Sequence, residues 1–208
     1  MDRRIHRLLH PKHLYSASEV PSRPCPIPAS AGIYAWYFNT RLPLIDVSAC
    51  HRIDGHALLY VGISPKAPSR SGQPSSSTLR TRIRTHYGGN AEGSTLRLTL
   101  GCLLSLRLDI RLRRVGTGNR YTFTNPGEQA LDRWLNRHAF VTWVETSAGW
   151  VVEKKLLASG LSLPLNIDDN PSLEAAAVLT AARLEAKRRA NRLRIVADNG
   201  GPRRPSLG

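Results

Sequence analysis

Arg82 and His86 lie four residues apart in the stretch Leu79-Arg80-Thr81-Arg82-Ile83-Arg84-Thr85-His86. On a helix that spacing puts both side chains on one face. A permanent cation and an imidazole that titrates near neutrality would then point together toward an anionic group. Two tyrosines precede them in short strand-like segments, Gly32-Ile33-Tyr34 and Tyr60-Val61-Gly62. Their phenols would line whatever the helix faces.

Each of these residues has a plainer reading when taken alone. Tyr34 and Tyr60 could be ordinary strand aromatics. Arg82 is one of three arginines in its helix, beside Arg80 and Arg84, and His86 could cap a helix end where the dipole favours imidazolium. Only their order and spacing along the chain lift them above that background.

The elements that would position them can be read from pattern. Gly32 to Phe38 is short and aromatic, the composition of a buried strand, with Tyr34, Trp36 and Phe38 on one face. Ala57 to Ile63 reads as a second strand that places Leu58, Tyr60 and Gly62 together, and the two are expected to pair antiparallel. Asn39 to His56 is too long for a tight turn and is read as an inserted loop. Ser64 to Thr78 holds three prolines and a Ser75-Ser76-Ser77 run. It reads as a mobile linker carrying Lys66 and Arg70, expected to order on DNA, ahead of a helix starting near Thr78.

Further along, Gly88-Gly89 ends that helix and Ser94 is placed to cap another over 95–104. Leu106, Leu108, Ile110 and Leu112 alternate with polar residues, which suggests a half-exposed strand, with a continued helix as the competing reading. Asn125-Pro126-Gly127-Glu128 has the form of a capping box and opens a helix to about His138. Phe140 to Val144 reads as a strand and Trp150 to Ser159 as a helix holding Glu153 among apolar neighbours. Asn170-Pro171 opens a last helix, basic in its second half, through about Arg194.

Composition agrees with an anionic partner. The chain has 30 Lys and Arg against 15 Asp and Glu, a formal charge of +15. Nucleic acid is the default partner for such an excess. With 208 residues and 41% hydrophobic content, one good core is expected. Four prolines between Pro21 and Pro28 set off an N-terminal extension, residues 1–30, read as a solvated basic arm whose His6, His10 and His13 are not gathered into a metal site because Pro11 interrupts any helix. Three scattered cysteines, Cys25, Cys50 and Cys102, suggest neither a disulfide framework nor zinc and fit a reducing cytoplasm. No apolar run is long enough for a leader or a membrane span, so a cytoplasmic protein with no membrane partner is expected.

Taken in order, Gly32-Ile33-Tyr34, Tyr60-Val61-Gly62, Leu79-x-x-Arg82-x-x-x-His86, Glu153 and Pro164-Leu165-Asn166 resemble the GIY-YIG endonuclease family. The resemblance covers roughly residues 31–166. It implies an α/β (α+β) fold with a small, mainly antiparallel three-stranded sheet flanked by helices. Residues 31–167 would form the nuclease-like domain with insertions, and 168–208 a basic C-terminal helix and tail. It also implies catalytic roles for Tyr34, Tyr60, Arg82, His86 and Asn166, and a Mg²⁺ (or Mn²⁺) ligand in Glu153, with Glu145 as a rival. In such a site the metal would stabilise the leaving 3′ oxygen, Arg82 the charge on the phosphate, and Tyr34 would take a proton from water with His86 as relay.

The expected activity is metal-dependent hydrolysis of DNA phosphodiester bonds, RNA not being excluded. The alternative is a nucleic-acid-binding protein on the same fold without turnover. Valine in place of isoleucine in Tyr60-Val61-Gly62, the wide spacing of the tyrosine motifs and the long 87–149 segment resemble elaborated, restriction-enzyme-like branches.

Overall fold

The computed structural model describes residues 2–66, 76–167 and 173–197 of the chain. The central stretch of the expected linker, residues 67–75, and the expected opening of the last helix at Asn170-Pro171 lie outside them. The chain divides into two compact units, the first built from residues 1–41, 45–83 and 138–176 and the second from 42–44, 84–137 and 177–208.

The first unit is organised around β1 (Gly32–Phe38), whose seven residues are all buried. Antiparallel neighbours flank it on both sides, β3 (His56–Ser64) and β6 (Ala139–Glu145). A two-residue strand, β2 (Arg52–Ile53), extends the sheet beyond β3, giving the order β2-β3-β1-β6. The three long strands are those expected from the sequence; β2 lies inside the segment read as a loop. Asp54 and Gly55, both at positive φ (46° and 80°), join it to β3. An Asp-Gly pair is well suited to such a two-residue hairpin turn, so the signal for β2 was present in the sequence.

The face of β1 formed by Ile33, Ala35 and Tyr37 packs with Leu58 and Val61 against α1 (Arg3–Leu9) and α6 (Gly149–Leu157), through Ile5 and Leu8 of the first and Val152 and Leu156 of the second. This corrects the reading of the N-terminus as a solvated arm. Asp2 caps α1 by accepting the Arg4 N–H, and the helix stops at His10, ahead of Pro11. It also corrects the expected face of Leu58. A register shift between Trp36 and Tyr37 sets Tyr37 opposite Leu58, which turns Leu58 into the core, away from Tyr60.

Both sheet edges are covered. Tyr15 exchanges two backbone hydrogen bonds with Val141 of β6, and the Leu165 N–H donates to the Leu59 carbonyl on the other side. Unpaired strand edges invite pairing with another chain, and these short contacts close them.

In the second unit, α3 (Thr95–Leu103) is capped by Ser94 as the sequence suggests. The alternating stretch after it is not a strand. Ser105–Leu108 forms a single helical turn, α4, ended by Asp109 in the left-handed conformation (φ 49°), and Leu106 is 92% exposed. Extended pairing begins only at β4 (Arg113–Val115), which forms a hairpin with β5 (Arg120–Thr122). α5 (Thr124–His138) follows, and α7 (Leu173–Arg192) is described from Leu173 onward.

A buried ionic cluster holds this unit together. The Arg97 guanidinium is fully buried; Nη2 meets a Glu128 carboxylate oxygen at 2.6 Å and Nη1 meets Asp132 at 2.6 Å. Nη1 also donates to the carbonyls of His86 and Tyr87, at 3.2 and 2.9 Å, in the last turn of α2 (Leu79–Gly88). Glu128 completes the set by accepting the N–H groups of Ala91 and Phe123. Glu128 was read as closing a capping box with Asn125; its carboxylate instead serves Arg97 and two loop amides. Removing one partner of such a pair strands a buried charge, which costs about 3–5 kcal/mol. Arg97→Met is expected to lower unfolding free energy by about that amount in urea titration, and a loss below about 1 kcal/mol would show the cluster to be dispensable.

Candidate functional site

Gly32 opens β1 at a point where three elements converge. A Cβ there would lie 2.5 Å from the Val144 carbonyl oxygen on β6 and 2.6 Å from Cδ1 of Leu79, the first residue of α2. Gly149, the first residue of α6, is packed so that its own Cβ would lie 3.0 Å from the Gly32 carbonyl oxygen. Glycine at these two positions is what lets both helices start against the strand. Side chains about one turn into each helix, Arg82 and Glu153, are thereby delivered to the neighbourhood of Tyr34.

The start of α2 is fixed by backbone contacts. The Leu79 N–H donates to the Ser30 carbonyl and the Arg80 N–H to that of Pro28. The Arg80 Nε donates to the Ile27 carbonyl at 2.7 Å. Thr78 and Thr81 cap one another reciprocally, and the Ser64 and Ser77 hydroxyls meet at 2.9 Å where the linker leaves and re-enters. The proline-rich lead-in thus serves as a rigid brace for α2. Among neighbouring arginines, Arg80 is committed to this brace and Arg82 to the site.

Tyr34 pairs with Gly62 across the β1–β3 ladder, and Tyr60 pairs with Trp36. The Tyr34 ring lies over Gly62 so closely that a Cβ there would be 2.5 Å from the phenol oxygen. Tyr60 stands beside it, ring centroids 6.5 Å apart and tilted by 40°. The Arg82 guanidinium hydrogen-bonds the Tyr34 hydroxyl. Burial pushes the Tyr34 phenol well above its ordinary proton affinity, the neighbouring Tyr60 phenol and the Glu153 charge push it further, and Arg82 opposes them. The phenol is therefore protonated at neutral pH.

Glu153 is half-buried, while Lys154 and Lys155 beside it are exposed. Glu145, the rival ligand, lies at the end of β6, exposed, and accepts a hydrogen bond from the Ser30 hydroxyl at 2.6 Å. Among the described residues no group of three or more His, Cys, Asp or Glu could enclose a metal. A single carboxylate whose charge reaches the Tyr34 phenol fits a hard divalent cation that draws its other ligands from water and substrate oxygens. It does not fit a closed zinc site.

Asn166 is 6% exposed and its amide grips β3. Oδ1 accepts the Val61 N–H and Nδ2 donates to the Val61 carbonyl, both at 3.0 Å. The side chain pairs with the strand as a neighbouring peptide would. His86, in the second half of α2, belongs to the second unit. It is fully buried, with Nδ1 2.7 Å from the Ser94 hydroxyl, and that hydroxyl also accepts the Arg97 N–H. Ser94 was legible as a cap; its second task of holding the imidazole left no local signal.

The sheet that carries Tyr34 and Tyr60, with one helix presenting an arginine and another a glutamate, has the architecture of a nuclease-type domain. A model of the GIY-YIG catalytic domain matches residues 32–189, well over half of the sequence. The chain belongs to the GIY-YIG family. Neither a curated protein nor a solved structure matches it.

The Asn166 geometry separates two roles. If the amide braces β3, Asn166→Ala strands two buried backbone groups of Val61 and is expected to cost about 2–4 kcal/mol in urea unfolding. Unchanged stability would mean that Val61 finds other partners and that the amide serves elsewhere.

Proposed function

We propose that the chain is a metal-dependent endonuclease that hydrolyses DNA phosphodiester bonds with Tyr34, Tyr60, Arg82 and Glu153 at its centre. The observation that carries this reading is the Arg82 guanidinium hydrogen-bonded to a buried phenol that also feels the Glu153 charge. Glu153 would hold Mg²⁺ or Mn²⁺, which when bound supplies charge stabilisation to the phosphate and the leaving 3′ oxygen.

The chain's own residues divide the remaining work. Arg82 binds the scissile phosphate and neutralises the charge that accumulates on its oxygens, an interaction stronger in the transition state than before it. Tyr34 takes a proton from the attacking water at its phenol oxygen. That requires the phenolate, which even an unperturbed tyrosine reaches in only about one molecule per thousand at neutral pH. Arg82 favours the phenolate, and neutralising Glu153 removes one of the charges that oppose it. Tyr60 packs beside Tyr34 and limits its orientation. Asn166 acts through β3, holding Tyr60-Val61-Gly62 in register. His86, one turn beyond Arg82 on α2, is assigned a proton-relay role. With Nδ1 engaged by Ser94, a relay would run through Nε2.

Cleavage of supercoiled plasmid in Mg²⁺ or Mn²⁺ tests the reading. Arg82→Ala is expected to reduce the rate by about 100- to 1000-fold, and Tyr34→Phe by about 100- to 10,000-fold. Glu153→Ala should abolish turnover, with duplex binding retained in all three variants. Plasmid left intact by the wild-type chain in both metals would favour a binding protein without turnover, and full activity in any of the three variants would remove that residue from its role.

The pH profile adds a second check. Because the folded state raises the Tyr34 pKa, the phenolate fraction grows with pH throughout the physiological range. The logarithm of kcat/KM should therefore climb toward alkaline pH. A rate that stops rising with pH in the neutral range would remove the Tyr34 phenolate from the rate-limiting step.

A further inference from the structure

The second unit holds a groove of about 470 Å³ whose rim is arginine. Arg111 follows the Asp109 turn, Arg113 opens β4, and Arg133 projects from α5 two to three turns after its start. Phe123 and Ile110, 2% and 5% exposed, lie in the lining as its apolar part. Asp109 is the one acidic residue in the lining, against three guanidinium groups. Such a concentration of one charge is costly unless an anion offsets it.

Arg113 supplies the independent observation. Its Nη2 donates to the Arg194 carbonyl at 3.0 Å, which fixes the side chain, while its Nε is buried and has no acceptor among the described residues. A buried donor left without an acceptor is unfavourable, and the edge of a guanidinium is shaped for two oxygens of one phosphate. Arg111 and Arg133 are exposed and unaffected by that anchoring. A carboxylate would satisfy one fork. The two exposed forks of Arg111 and Arg133, with the remaining Nε edge of Arg113, match the repeated phosphates of a strand.

We propose that this groove is a phosphate-backbone subsite that holds a phosphodiester segment of the nucleic acid, contributing affinity and no chemistry. The anion preference stands on the groove itself; the choice of nucleic acid rests on the nuclease reading above.

The test uses the full chain without divalent metal, so that nothing is cut, and a 20-base-pair DNA duplex followed by fluorescence anisotropy over a range of NaCl concentrations. Each phosphate contact contributes a slope of about 0.9 in log K against log salt. R111Q/R133Q, which leaves Arg113 and its Arg194 contact in place, should weaken binding and reduce the slope by about 1 to 2. R3Q/R7Q removes the same charge from exposed positions on α1 and should change the slope by less than half as much. Equal effects of the two double variants, or no effect of R111Q/R133Q, would overturn the proposal.

A second readout identifies the anion. The Arg113 Nε–H resonance should shift on adding duplex, and in R111Q/R133Q that shift should diminish. A shift with millimolar inorganic phosphate and none with duplex would make the groove a free-anion site and refute backbone binding. Plasmid cleavage by the wild-type chain is read separately, so a chain that cuts nothing but loses slope in R111Q/R133Q upholds the groove and fails only the nuclease reading.

Discussion

The register between β1 and β3 is the constraint on which the site depends. It sets Tyr34 opposite Gly62, and the absence of a side chain at Gly62 is what gives the phenol room to lie across the strand. A slip of one residue would turn Tyr34 to the other face and oppose it with a side chain. The same ladder puts Tyr60 opposite Trp36, so both phenols end on one face. Outside that ladder, Asn166 holds Val61 from the far edge, and Gly32 admits α2 and α6. Each device has local consequences, but they converge on one outcome, a fixed phenol with a guanidinium on its oxygen.

The arginine excess divides by environment. Arg97 lies at zero exposure inside an ionic cluster whose carboxylates offset it. Arg80 braces the start of α2 by donating to the Ile27 carbonyl of the lead-in, and Arg114 donates to the Asn191 and Leu193 carbonyls at the end of α7. These cations are spent on the chain's own carbonyls and carboxylates. Formal charge therefore overstates what is offered to a polyanion.

The sequence made the site legible where its geometry is local. Tyr34, Gly62, Arg82 and Glu153 sit in short motifs whose periodicity places them on elements, and their ordered occurrence pointed to the family. The cluster of Arg97 with Glu128 and Asp132 left no such trace, because the guanidinium on α3 meets carboxylates from α5 and a buried ion pair between two helices has no spacing rule. Asn166 was visible as a residue but not as a strand mimic, since its partner Val61 is far away in the chain. The errors have similar causes. Alternation from Leu106 to Leu112 fits period two, yet one helical turn followed by left-handed Asp109 places its residues quite differently. Proline density near the N-terminus hid α1, whose seven residues end just before Pro11.

A buried base presents an energetic conflict that the proposed reaction must resolve. Burial, the neighbouring Tyr60 phenol and the Glu153 charge favour the neutral phenol, and Arg82 alone among its named neighbours favours the phenolate. A phosphate arriving on Arg82 would share that guanidinium and add negative charge of its own, which moves Tyr34 further from ionisation. Cancelling negative charge on the Glu153 side would relieve one of the effects that oppose ionisation, while burial remains the largest. On the proposed roles, a cation held by Glu153 would ease ionisation of the phenol as well as offset charge on the leaving group. Substrate without cation would meet a Tyr34 that burial keeps protonated, so under the proposed mechanism the place of the tyrosine adds to the demand for a metal made by the chemistry of the phosphate.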